Sequence, residues 1–147
     1  PEGRGSIVGF KDFHTRAHVY RALIEGLAFA LRSGKERIER RTKTPIHCIR
    51  ASGGGAQSDA VVQILADVMN LPIERFEDCE ASGRGAAMIG AAALGYYPSI
   101  GAAAEAMLTA TARVDPDATQ TAGYDATYRN NYSPLYGRLK SLFMRQA

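Results

Sequence analysis

Ile46-His47-Cys48-Ile49-Arg50-Ala51 runs into Ser52-Gly53-Gly54-Gly55-Ala56-Gln57, and that loop runs into Ser58-Asp59-Ala60-Val61-Val62. The first six residues read as a strand. Ser58 or Gln57 opens a helix whose apolar face is Val61, Val62, Leu65, Val68 and Met69, and Asn70 and Pro72 end it. Glycines let a ligand approach the backbone, and a helix N-terminus offers unpaired N–H groups to an anion. The junction is therefore a phosphate or nucleotide site in outline. It is not a P-loop, because no GxxxxGK[ST] occurs and no Lys follows the glycines. As a dinucleotide fingerprint it carries Ser58 where a third glycine belongs. A tight turn that binds nothing explains the same residues.

Working outward, Ser6-Ile7-Val8-Gly9-Phe10 reads as a strand. From His14 the period changes. Phe13, Ala17, Tyr20, Leu23, Ile24, Leu27, Ala28 and Leu31 recur at three and four, the pattern of an amphipathic helix with those residues inside. It runs to about Arg40 and is stopped by Thr44-Pro45. Ile73 to Phe76 reads as an edge-like strand. Ser82 to Leu94 is a Gly- and Ala-rich helix closed by Gly95, which implies that something packs closely against it. Ile100 to Leu108 is a further helix, and Thr109 to Thr121 a polar loop. Tyr124, Tyr128 and Tyr132, four apart, indicate another helix. Ser133-Pro134 looks like an N-cap and first helical position, opening a last helix with Leu135, Leu139, Leu142 and Phe143 inside. Strands alternating with helices predict an α/β domain with a mixed sheet flanked by helices.

Composition agrees with one globular domain. The chain has 147 residues, 46% hydrophobic and 22% charged. Its net charge of +3 is a weak electrostatic footprint, and no nucleic-acid partner is expected. The basic run Arg32, Lys35, Arg37, Arg40, Arg41 and Lys43 is interrupted by Glu36 and Glu39, and reads as a solvated helix end. Cys48 and Cys79 have no CxxC spacing, which points to reduced, buried thiols in a cytoplasmic protein. Gly83 to Leu94 is too short to span a bilayer, so no membrane association is expected. The chain opens Pro1-Glu2-Gly3 without Met, as a fragment or processed product would.

His14, His18, Arg21 and Glu25 form one polar stripe on the first helix. A His14–His18 metal pair lacks a third ligand, and Arg21 would repel the cation, so no metal is assigned. Pairing of Arg21 with Glu25 is the plainer reading. Asp59 and Asp67 lie eight apart, on nearly one face of the second helix, and Asp59 suits its first turn. No catalytic Ser/His/Asp or Cys/His arrangement is legible.

Three segments in order resemble the C-terminal domain of the FGGY family of carbohydrate kinases, of the xylulose, ribulose and glycerol kinase kind. The first is Gly5 to Phe10 with His18-Val19-Tyr20-Arg21-Ala22-Leu23-Ile24-Glu25-Gly26, similar to the family's second signature, with Phe10 where a smaller aliphatic is usual. The second is Ser52 to Asp59, followed by Gln63 to Val68 and Leu71-Pro72-Ile73. It resembles the family's adenosine-contacting loop with the helix and strand after it. The third is Glu80 to Ala87, in which Gly83-Arg84 alters the family's usual small-residue step. Coverage runs from about Gly5 to Gly95, and the Tyr-rich tail also fits.

The resemblance implies a ribonuclease-H-like, actin-like ATPase fold, closing with a second lobe on ATP, Mg²⁺ and a sugar or polyol. The whole chain would be one C-terminal nucleotide-binding lobe, with residues 111–147 as a helical tail. Gly54, Gly55 and Ala56 would line the nucleotide, and Asp59 would take a polar position near it. The partners implied are the N-terminal lobe of the same kinase, ATP or ADP, and the sugar or polyol, with room for a homodimer. The general base and the metal-bound phosphates that transfer requires would come from that other lobe, so no catalytic residue is assigned and no activity is expected of the chain alone. Two other readings compete. One is a dinucleotide-binding Rossmann-like domain with Glu77 as its ribose acid, which demands a parallel sheet. The other is a non-enzymatic interaction module presenting the His14 stripe. Titration with ATP and with NAD separates the three.

Overall fold

A computed structural model describes residues 5–76 and 80–144. Glu77 and Cys79 lie outside the described residues. Helix α1 spans Arg16–Thr42, strand β1 Ile49–Ala51, helix α2 Asp59–Met69 and strand β2 Ile73–Phe76. Helices α3, Ala81–Ala93, and α4, Ile100–Met107, precede strand β3, Ala110–Val114. Helix α5, Ala118–Thr127, continues through a π-turn at Tyr128–Tyr132 into α6, Ser133–Met144.

The sheet order is β1-β2-β3. β1 and β2 are parallel, with Ile49 opposite Ile73, and β2 and β3 antiparallel, with Ile73 opposite Val114. The sheet is mixed, as expected, but β2 is its middle strand rather than an edge. The expected loop at Thr109 to Thr121 contains β3, the second neighbour of β2. Alternation in Ala110-Thr111-Ala112-Arg113-Val114 gives little contrast when one set is mostly alanine.

Side-chain alternation divides the sheet. Ile49, Ala51, Ile73 and Val114 pack with Val62 and Ala66 of α2 and with Ala56. Arg50 and Phe76 face the α3–α4 pair across a cleft that Met88 and Leu108 also line. Helices thus lie on both faces. The opposite side of α2 makes a second core, where Ile64 and Val68 meet Ala28, Phe29 and Tyr128. Phe29 lies 6.2, 5.8 and 5.2 Å, centroid to centroid, from the rings of Tyr124, Tyr128 and Tyr132. The four-residue tyrosine spacing exists to cover this one phenylalanine.

Caps follow the local chemistry. Ser58 caps α2 by accepting from Val61 N–H, and Asn70 ends it in the left-handed region at φ 49°. Thr15 N–H and hydroxyl both donate to Nδ1 of His18, at 3.2 and 2.8 Å, so His18 closes the first turn of α1 as a capping-box Glu would. Lys43, at φ 59°, ends α1 one residue before Thr44-Pro45.

Several expectations are corrected. Ser6 to Phe10 is not a strand: no described strand pairs with it, and Ile7, Val8 and Phe10 are exposed. Ile46 to Cys48 lies outside the ladder, which begins at Ile49, and Ile46 N–H donates to the Glu39 carboxylate. Cys48 is half-buried rather than buried. A Cβ built on Gly83, Gly85 or Gly90 meets nothing within 4 Å, so those glycines do not serve close packing among the described residues. Ser133 has helical φ/ψ of −57° and −43° and is no N-cap. Pro134 cannot donate to the carbonyl four residues back, and the helix passes it with a widened turn in which Ser133 N–H reaches Tyr128 O. Leu142 is exposed.

The largest correction concerns α1. Leu23, Leu27 and Leu31, placed inside by their spacing, are 59, 68 and 57% exposed, and the chain's own core takes Ala28 and Phe29 instead. Arg32, expected at a solvated end, is nearly enclosed. It donates to Glu36, Asp125 and the Val68 carbonyl and stacks 4.2 Å from the Tyr128 ring centroid. Its guanidinium joins α1, α2 and α5.

Candidate functional site

Parallel strands β1 and β2 end at the same edge of the sheet. The glycine loop follows β1, and the Glu80–Ala87 segment opens α3 after β2. The fold therefore brings the second and third sequence segments together at the carboxyl ends of parallel strands, where ligands bind in open α/β sheets. Between them lies a cleft of about 240 Å³ lined by Ser52, Arg84, Gly85, Phe76 and Met88, among others. It meets a second cleft of about 550 Å³, which shares Arg50, Phe76 and Leu108 and adds Glu74 and Glu105. The Arg50 guanidinium is paired with Glu74 at 3.1 Å.

The three glycines are not equivalent. Gly53 has φ 88° and ψ −178°, a conformation open essentially to glycine alone, and its carbonyl accepts from Ala56 N–H at 3.0 Å. Gly54 and Gly55 form the first two residues of a 3₁₀ turn ending at Gln57, and neither has positive φ. Both are exposed, and an added Cβ on either would meet nothing within 4 Å. The turn thus needs Gly53, and leaves a bare stretch of backbone at Gly54 and Gly55 facing open space.

Ala56 is 4% exposed, with its methyl among Val62, Ala66 and Ile73. It anchors the turn, and only its backbone faces the loop. Asp59 stands in the first turn of α2 with its side chain 93% exposed, and its Oδ1 accepts from Arg75 at 2.7 Å. Asp67, expected on nearly the same face, is 4% exposed. Its Oδ1 accepts from Gln63 Nε2 at 2.9 Å and from the Asp117 backbone N–H at 2.8 Å, tying α2 to the start of α5.

The His14 stripe is separate. A cleft of about 330 Å³ along it is lined by Ile7, Phe10, His14, His18, Arg21 and Glu25 among others, and shares no residue with the loop cleft. His14 Nδ1 accepts from Lys11 N–H at 2.8 Å. Arg21 pairs with Glu25 at 2.8 Å, as expected, and Tyr124 joins them, its hydroxyl donating to Glu25 and accepting from Arg21. The Glu25 hydrogen bond, with help from Tyr124, holds Arg21 firmly protonated. Burial pushes the Tyr124 hydroxyl pKa up. Among the described residues no group of three His, Cys, Asp or Glu is placed to hold a metal ion, and no helix is long and apolar enough to cross a membrane.

Sequence reading located the loop but not Phe76, Arg84 and Met88 beside it. Alternation along β2 places Phe76 opposite Ile73 and could have found it. Arg84 and Met88 lie on α3, a different element from β2, and reach the cleft only through the tertiary fold.

The profile of the C-terminal domain of the FGGY family of carbohydrate kinases matches residues 1–94. A xylulose kinase from Bacillus subtilis is 31% identical over 139 residues, 95% of this chain and 28% of that protein. A glycerol kinase from Pseudothermotoga lettingae is 34% identical over 94 residues, 64% of this chain and 19% of that protein. The crystal structure of xylulose kinase from Rhodospirillum rubrum superposes with a TM-score of 0.83 at 30% identity, over 98% of this chain and 29% of its own. The chain thus spans under a third of the length of these relatives. A domain profile matched over more than half of the chain, together with this superposition, makes the chain a member of the FGGY family of carbohydrate kinases through that family's C-terminal domain.

Proposed function

We propose that the chain is the ATP-binding lobe of a cytoplasmic carbohydrate kinase that transfers the γ-phosphoryl group of ATP to a sugar or polyol hydroxyl. The observation that carries this reading is the bare backbone of Gly54 and Gly55 at the carboxyl end of β1. The turn does not require glycine at either position, so the missing side chains are accounted for by a ligand lying close. Gly54, Gly55 and the Ala56 backbone would line the nucleotide, and Asp59 would stand at its polar edge. ATP supplies the phosphoryl group. Mg²⁺ would be held mainly with the N-terminal lobe, as the family resemblance implies. A ribonuclease-H-like, actin-like fold completed by an N-terminal lobe fits the small mixed sheet with helices on both faces; the helical tail expected over residues 111–147 is cut back to α5 and α6, because Ala110–Val114 is strand β3 of the sheet. The competing dinucleotide domain calls for a parallel sheet, and β3 is antiparallel.

The test is Gly55→Val in the full-length kinase. ATP binding should weaken by about 1–3 kcal/mol, the scale of overpacking a tight site, with sugar binding nearly unchanged. Free space around the site and an ordinary φ keep the variant folded. Wild-type ATP affinity by calorimetry would reduce the glycines to a turn. In a coupled ADP assay with pentoses, ketoses and polyols, the 147-residue chain alone should read background.

A further inference from the structure

Helix α1 carries two apolar faces, and the chain uses one. Tyr20, Leu23, Leu27, Leu31 and Ile38 are 54 to 68% exposed. At 100° per residue they fall within an arc of about 80°, and the arc runs about 27 Å along the helix. Between Tyr20 and Ile38 the only other residue in that arc is Gly34, so the stripe contains no charge. A Cβ on Gly34 would meet nothing within 4 Å, which leaves room there for a neighbouring backbone. The core residues Ala28 and Phe29 lie on the side turned toward α2 and α5. Scattered exposed leucines are ordinary on a soluble protein, but five large apolar residues in one uncharged line mark an interface.

The stripe exposes on the order of 500 Å² of apolar surface, short of the roughly 800 Å² per partner that a stable dimer buries. A second copy is therefore the weaker occupant. The relatives contain this whole unit with more than two thirds of their length besides: 95% of this chain aligns with 28% of the Bacillus subtilis xylulose kinase. The apolar spacing of α1 is met, as a pattern, on a face that nothing among the described residues covers.

We infer that the Tyr20–Leu23–Leu27–Leu31–Ile38 stripe is a docking face for an apolar, uncharged surface of the same polypeptide outside these residues. That surface approaches most closely at Gly34. The inference rests on the chain being one part of a longer kinase, but not on the nucleotide loop, so the two readings fail separately.

The experiment compares Leu27→Asp in the 147-residue chain and in the full-length polypeptide, by thermal unfolding. In the chain the side chain is already in water, and the melting temperature should stay within a degree or two. In the full-length protein the same change should lower it by several degrees, with Leu31→Asp doing likewise and Arg41→Asp, at the end of α1 beyond the stripe, having little effect. Equal losses in both proteins, or none in the longer one, overturn the inference. So does a natural protein whose intact mass is no larger than that of this chain. Sedimentation equilibrium of the chain should show a monomer at micromolar concentration. A dimer that Leu27→Asp dissociates would instead make a second copy the occupant and overturn the inference.

Discussion

Gly53→Ala tests whether the loop is built as described. The backbone at Gly53, φ 88° and ψ −178°, is one that a Cβ makes costly even where there is space, and no heavy atom lies within 4 Å of the added carbon. The whole penalty is therefore conformational, about 1–3 kcal/mol. For a domain of this size each kcal/mol lowers the melting point by about 2–4 °C, so a fall of roughly 2–12 °C is expected. Gly54→Ala and Gly55→Ala are the controls. Neither needs positive φ, and loss of chain freedom in the unfolded state should leave them neutral or stabilised by up to about 1 kcal/mol. Urea and thermal unfolding of the three single variants, followed by circular dichroism, decide the matter. Equal stability of Gly53→Ala and Gly54→Ala would refute the reasoning, because it would mean the loop can reach its shape another way.

Asp67→Ala should cost about 1–3 kcal/mol in urea unfolding, because the Asp117 N–H and the Gln63 amide lose a buried acceptor, whereas Asp67→Asn keeps an Oδ1 and should cost less. Acid should also destabilise the fold. Arg32 holds the Asp125 carboxyl below the usual range, the Ile46 N–H does the same for Glu39, and Thr119 for Asp117. With folded pKa values depressed, the stabilisation is complete above the ordinary carboxylate pKa of about 4 and is lost as pH falls through the folded values. Melting points should hold steady from neutral pH to about 5 and then drop, more shallowly in Asp125→Asn. A variant with the wild-type slope would remove Asp125 from the account.

Where the sequence determines structure locally, it could be read. The β1–loop–α2 junction follows from three glycines, a serine cap and an apolar helix face, all within seventeen residues of each other or fewer. β3 escaped because its alternation is muted by alanine, and with it the central place of β2. The face of α1 was misread for a different reason. Its apolar spacing is real, but burial depends on what surrounds the helix, and no neighbour among the described residues buries Leu23, Leu27 and Leu31. Arg32 looked like one more cation at a helix end. Its enclosure depends on Asp125, 93 positions away, and no local pattern reveals that. The loop itself was legible as a candidate site, whereas the cleft beside it was not, because β2 and α3 supply Phe76, Arg84 and Met88 from separate parts of the chain.

The Phe29 core has a consequence for how the protein is made. Its lid is Tyr124, Tyr128 and Tyr132, and the Glu25–Tyr124 bond closes across 99 positions. A ribosome adding about 5–20 residues per second needs roughly 5–20 s to travel that distance. Through that interval the Phe29 face of the newborn α1 lacks its tyrosine lid, and until Ile64 and Val68 of α2 have emerged it lacks those core partners as well. The nascent chain is most vulnerable to sticking then, and chaperone binding to α1 should peak before Tyr132 emerges and fall once it has.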